Sequence, residues 1–163
     1  MYKIKLLILL LCSFFIISCA QDQLESSHKF KLKYIGGKVD GYHLSRIMNR
    51  YLKINNIYDE NSLLTLNAKI DHEEILYAPN IDNTSDRALI NSNLYVEIFD
   101  LKKNCILEKY NFNEKQFYLI ASSQNNISNQ NAFNEIKINN TETMVKDMID
   151  SLMFLNAECV NEV

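Results

Sequence analysis

The stretch Leu94-Tyr95-Val96-Glu97-Ile98-Phe99-Asp100-Leu101-Lys102-Lys103-Asn104-Cys105-Ile106-Leu107-Glu108-Lys109-Tyr110-Asn111-Phe112 reads as two strands joined by a hairpin turn. Leu94, Val96 and Ile98 fall on one face, with Tyr95, Glu97 and Phe99 on the other. That period of two belongs to a strand, because successive side chains leave a pleated backbone on opposite sides. Ile90 extends the apolar row upstream, and Ser92 interrupts it. The strand is predicted over about 88–100, with its second face partly covered at Tyr95 and Phe99. Asp100 to Asn104 is polar and supplies the turn. The next strand starts near Cys105, with Ile106, Glu108, Tyr110 and Phe112 on one face and Leu107 and Lys109 on the other. Asn113-Glu114 is expected to form a bulge, with Phe117, Leu119 and Ala121 continuing the ribbon.

Upstream of this hairpin, Leu64, Leu66, Ala68 and Ile70 alternate with Thr65, Asn67 and Lys69. They predict a strand over about 64–70, with an irregular extension at Glu74–Tyr77. Pro79 and the run Asn80–Asp86 are expected to form a loop. Phe30, Leu32 and Tyr34 alternate with lysines over 29–35, and Gly36-Gly37 ends that strand. Leu44, Ile47, Met48, Tyr51 and Leu52 then recur at helical spacing over about 42–53, closed by Asn55-Asn56. Downstream, Ser122 to Asn134 is Ser/Asn/Gln-rich and reads as a loop merging into a frayed helical start. Asn139 with Glu142 has the form of a capping box. Met144, Val145, Met148, Ile149, Leu152 and Met153 make a broad apolar face on a helix over about 140–155. Neither helix can bury its stripe alone. The expected fold is therefore α+β: a two-layer sandwich of a four-stranded, mostly antiparallel sheet with two helices on one face, in the order βαβββα.

The first residues carry a different signal. Lys3 and Lys5 precede an apolar run from Leu6 to Ile17, which ends at Ser18-Cys19-Ala20. This is the layout of a secretory signal, too short for a membrane span. It resembles the bacterial lipoprotein signal, which implies cleavage before Cys19 and acylation of that cysteine. An ordinary cleaved signal with Cys19 incidental, and a retained transmembrane helix, are the alternatives. Residues 1–18 are thus read as a signal, 19–28 as a lipidated tether and 29–163 as a single domain. Removing Lys3 and Lys5 leaves 15 basic against 20 acidic side chains, a formal net charge of −5. Such a balance argues against a nucleic-acid surface. Cys105 and Cys159 remain, and an exported protein permits their bridging. The alternatives are a disulfide and two buried thiols.

Little in the sequence points to bond-making chemistry. His28, His43 and His72 belong to no metal-ligand spacing. His72-Glu73-Glu74 reads as a solvated strand end. There is no Gly-rich phosphate loop and no nucleophile elbow. The expectation is a protein that is not an enzyme and needs no cofactor and no metal. Arg87, before the third strand, and Lys137, before the last helix, read either as solvated loop charges or, were their loops neighbours, as two cations that hold phosphate. Arg would do so through a bidentate fork and Lys as a point charge.

Three stretches, taken with the signal and the element order, resemble the lipopolysaccharide-assembly lipoprotein family LptE. Arg87-Ala88-Leu89-Ile90 followed by Leu94 to Asp100 is similar to its third strand, entered from an Arg-bearing loop. Leu119 to Asn131 is similar to the polar connection that follows, and Met144-Val145-Lys146-Asp147-Met148 to its last helix. The resemblance implies a plug and assembly partner of a large outer-membrane β-barrel, LptD, acting in lipopolysaccharide transport. It implies that Arg87 and Lys137 contact lipopolysaccharide phosphates. It also implies that Cys19 holds the protein on the periplasmic side of the outer membrane, consistent with Ala20 after the cysteine. An unrelated envelope lipoprotein with a structural or adaptor role is the alternative.

Overall fold

The computed structural model describes residues 28–79, 85–120, 126–156 and 158–160. The signal, Cys19 and the tether up to Ser27 lie outside them. The element order is β1 (Phe30–Gly36), α1 (Lys38–Ile54), β2 (Leu64–Pro79), β3 (Ser85–Asp100), β4 (Cys105–Leu119) and α2 (Asn126–Met153). The strands lie side by side as β1-β2-β3-β4. β1 runs parallel to β2, and the other two pairings are antiparallel. The expected βαβββα two-layer fold is what the chain adopts.

Both helices bury their stripes against one sheet face. Leu44, Met48 and Leu52 of α1 meet Met144, Met148 and Leu152 of α2 in one core with Leu66, Ile70, Leu94 and Ile98. Gly37 sits at φ +115°, and a Cβ there would lie 2.7 Å from the Ile70 carbonyl oxygen. Only glycine lets the chain turn from β1 into α1 at that place. α1 ends in a two-bond cap. Asn56, at φ 54°, donates its N–H to Lys53 O (3.1 Å), and Ile57 N–H reaches Leu52 O (2.9 Å). Asn tolerates the left-handed conformation this cap needs, and Ile57 is buried beneath it. The hairpin turn is organised by Asp100, whose Oδ1 accepts the N–H groups of Lys102 (2.8 Å) and Lys103 (3.1 Å).

Five expectations are corrected. β2 is continuous to Pro79, because β3 pairs with it residue by residue through Tyr77↔Arg87 to Pro79↔Ser85. Arg87 is therefore inside β3 and not at a loop end. The bulge lies between Ile98 and Phe99, and the register through Asn113 and Glu114 is unbroken. Ile98 faces Glu108 while Phe99 faces Ile106, so Leu107 is the extra residue and turns into the core. Finally, α2 begins at Asn126, well before the expected start near 140. Residues 121–125 fall outside the described residues. The helix runs on because Ile136, Asn140 and Thr141 continue the buried row, two of them as polar residues with partners inside. Glu142 is consequently no capping residue. It accepts a hydrogen bond from Tyr51 Oη and pairs with Arg50 (3.2 Å), tying α2 to α1.

Candidate functional site

A polar cluster crosses the helix–sheet layer where Ser92 interrupts the apolar row. Ser92 is fully buried. Its Oγ accepts from Asn140 Nδ2 (3.0 Å) and lies 2.8 Å from His72 Nδ1. On the far side of the ring, His72 Nε2 is 3.5 Å from Thr141 Oγ1, which donates to Lys137 O at 2.7 Å. One neutral tautomer, with the proton on Nε2, gives every donor in this chain an acceptor. Among the described residues no buried side-chain polar atom is left without a partner. Lys137 turns its ammonium to Asp40 Oδ1 of α1, 2.7 Å away. Its side chain is only 16% exposed and passes over the Phe133 ring. Asp40, His43, His72, Lys137 and Thr141 line an open cleft of about 470 Å³ between the helices.

His72 is held neutral by this setting. Burial pushes its pKa down to about 4; the Asp40 carboxylate opposes that shift, and the Lys137 cation adds to it. His72-Glu73-Glu74 is thus not a simple solvated strand end, because His72 points into the layer. The interrupting Ser92 was the sequence signal for this: a polar residue on a core face needs a buried partner. Ser92 and His72 do not form a catalytic pair. Ser92 has no exposure through which to meet a substrate, and its oxygen already accepts from Asn140. A histidine that resists protonation is also a poor general base. Among the described residues, no three His, Cys, Asp or Glu side chains form a group able to hold a metal ion. No helix among them is long and apolar enough to cross a membrane.

The low His72 pKa sets an expected pH response. Between about pH 6.5 and about pH 4 the unfolded chain takes up a proton that the folded chain refuses. This contribution to stability is therefore complete above pH 6.5 and is lost as the pH falls through the window. Denaturant midpoints at pH 7 and pH 4.5 should differ less in His72→Gln than in the parent protein. Equal differences in the two would show that His72 is not the group responsible.

Arg87 lies elsewhere. Ala88 and Ile90 point into the core, so Arg87 and Leu89 point to the opposite, solvent face of the sheet. Lys137 is on the helix side, and the sheet separates the two cations. Arg87 shares an open hollow of about 520 Å³ with Phe117, Tyr118 and Leu119. Phe117 is 55% and Leu119 77% exposed, so the surroundings of Arg87 are partly apolar. Near the other end of the sheet, Cys105 and Cys159 are bonded, with Sγ–Sγ 2.04 Å. The bridge holds the C-terminal segment on β4, where Val160 N–H donates to Ile106 O (2.9 Å).

No family model matches the sequence, and no curated protein matches it. Its fold does match solved structures. The rare lipoprotein B of Shewanella oneidensis superposes with a TM-score of 0.54 at 12% identity, covering 76% of this chain and 96% of that one. A minor lipoprotein of Acinetobacter baumannii gives a TM-score of 0.55, also at 12% identity, over 80% and 94% of the two chains. At this identity the likeness is one of fold, and the chain folds as these bacterial lipoproteins do.

Proposed function

We propose that this chain is a lipid-anchored protein of a bacterial envelope and acts by docking to partners. The observation that carries this reading is a conjunction. A lipoprotein-type signal ending at Cys19 precedes a domain that matches solved bacterial lipoproteins over nearly their whole length. The buried polar cluster supports it from another side, since its groups satisfy one another and leave no exposed nucleophile. Membrane-purified protein should have lost residues 1–18 and gained acyl mass on Cys19. An unmodified Cys19 in soluble protein would remove the anchor from the proposal.

The finer reading is lipopolysaccharide assembly, as a plug and assembly partner of a large LptD-like barrel on the periplasmic side of the outer membrane. Its support is the resemblance to LptE and the setting of Arg87. A cation beside exposed Phe117 and Leu119 suits a ligand that joins phosphate to acyl chains. Lys137 would have to exchange Asp40 for a ligand phosphate. That pairing, with the net negative charge, favours the broader reading of an envelope adaptor. Reversing Lys137 would set two carboxylates together, so the test uses Arg87→Asp and, separately, Lys137→Gln. On the finer reading Arg87→Asp weakens lipopolysaccharide binding, binding falls with salt, and the circular dichroism spectrum is unchanged. Binding that survives both variants and high salt, without a co-purifying barrel, would leave only the adaptor role.

A further inference from the structure

β4 borders the sheet, and among the described residues only β3 pairs with it along its length. The chain closes the start of the free edge itself. Val160 N–H bonds to Ile106 O, and the Cys105–Cys159 bridge holds it there. From Glu108 to Leu119 the edge has no backbone partner among the described residues. In an antiparallel ladder, alternate residues turn their N–H and C=O groups away from the neighbour, so this stretch offers a row of donors and acceptors roughly 40 Å long. Edges this long are usually blunted by proline, a bulge or a covering segment. Here the bulge sits at the closed end, opposite Leu107, and the register from Glu108↔Ile98 to Leu119↔Arg87 is unbroken.

The side chains along this edge are sorted by charge. Glu108 and Glu114 lie on the helix side, with Tyr110 and Phe112 between them, while Lys109 and Lys115 lie on the solvent side, Lys109 with a contact of its own. Glu108, Glu114 and Lys115 form no ion pair among the described residues. This pattern does not fit a second copy of the chain. Two copies joined edge to edge about a two-fold axis normal to the sheet keep each face on its own side. The glutamates of one copy then never stand opposite Lys115 of the other, whatever the register. A different strand, with charges sorted the opposite way, can oppose all three.

We propose that the open edge of β4 receives an extended segment of another protein, which adds as a fifth strand. That segment carries two basic side chains six residues apart on its helix-side face, opposite Glu108 and Glu114, and an acidic one opposite Lys115. The backbone supplies the affinity and the charges select the partner. The inference does not rest on the lipopolysaccharide reading and survives its failure.

The test uses the full chain in detergent and two ten-residue Thr/Val-rich peptides. One has Glu at position 1 and Lys at positions 2 and 8, and the other has these charges exchanged. The first peptide should slow amide exchange across 108–115 and bind about tenfold more tightly than the second, as expected for two or three cross-strand charge pairs. Glu108→Lys with Glu114→Lys should reverse that preference. Lys115→Glu, at an exposed position, should narrow it should the double variant not fold. Binding without charge preference would overturn the proposal. So would slow exchange at 108–115 before any peptide is added. Sedimentation would then distinguish a second copy from the chain's own amino-terminal segment as the occupant.

Discussion

Met148→Asp is expected to abolish the folded state. Met148 is fully buried where α1, α2 and the sheet meet. Truncating a buried side chain of this size typically costs about 2–5 kcal/mol. A carboxylate left there without a partner adds several more, whether it stays charged or takes up a proton. The sum reaches the roughly 5–15 kcal/mol by which ordinary domains are stable. The variant should lack a cooperative denaturant transition at pH 7. Asp150→Asn, on the exposed face of the same helix, should stay within about 0.5 kcal/mol of the parent. A Met148→Asp protein that unfolds near the parent midpoint would mean that α2 does not pack through this face.

The second large effect concerns the bridge. Cys105 and Cys159 are 54 residues apart, and closing a loop of that size removes unfolded-chain entropy worth up to about 4 kcal/mol. The double variant Cys105→Ser, Cys159→Ser should lose most of that stability, and reduction of the parent protein should match it. The loss should also be local. The Val160 amide, now bonded to Ile106 O, should exchange faster because its segment is no longer held on β4. A change below about 1 kcal/mol would show that the unfolded chain is not restrained by the link.

The alternation of Leu94, Val96 and Ile98 and the helical spacing of Met144 to Leu152 were enough to specify two layers and six elements. Apolar periodicity reports burial directly, and these residues are all buried. What the sequence concealed was burial of polar groups. Asn140 and Thr141 occupy the same helical row as Met144 and Met148, yet they read as the start of a helix and not its middle. Their role depends on Ser92 and His72, which are 48 and 69 residues away in the pairs they form. No local pattern encodes such partners. The Leu107 bulge was hidden for a related reason, since inserting one residue reverses every later face assignment. For the proposed ligand cations, sequence order carried no information about sides. Only the pairing of β3 shows that the sheet stands between Arg87 and Lys137.

The parallel pairing of β1 with β2 also has a mechanical meaning. β1 enters at Phe30, beside Leu64, and runs to Gly36, beside Lys69, with one shift of register between Leu32 and Tyr34, where Lys33 is the extra residue. A pull applied ahead of Phe30 and directed along the strand axis draws β1 lengthwise past β2. On each side of that shift, at Phe30–Leu32 and at Tyr34–Gly36, the slanted bonds of the parallel pair share the load and do not open one after another. Phe30 is fastened further by its N–H to Ile57 O (2.8 Å) and by Asp59 N–H to its own carbonyl (2.9 Å). A domain suspended from a membrane by its amino terminus would hang from this element in shear, the loading direction in which a short strand resists extraction best.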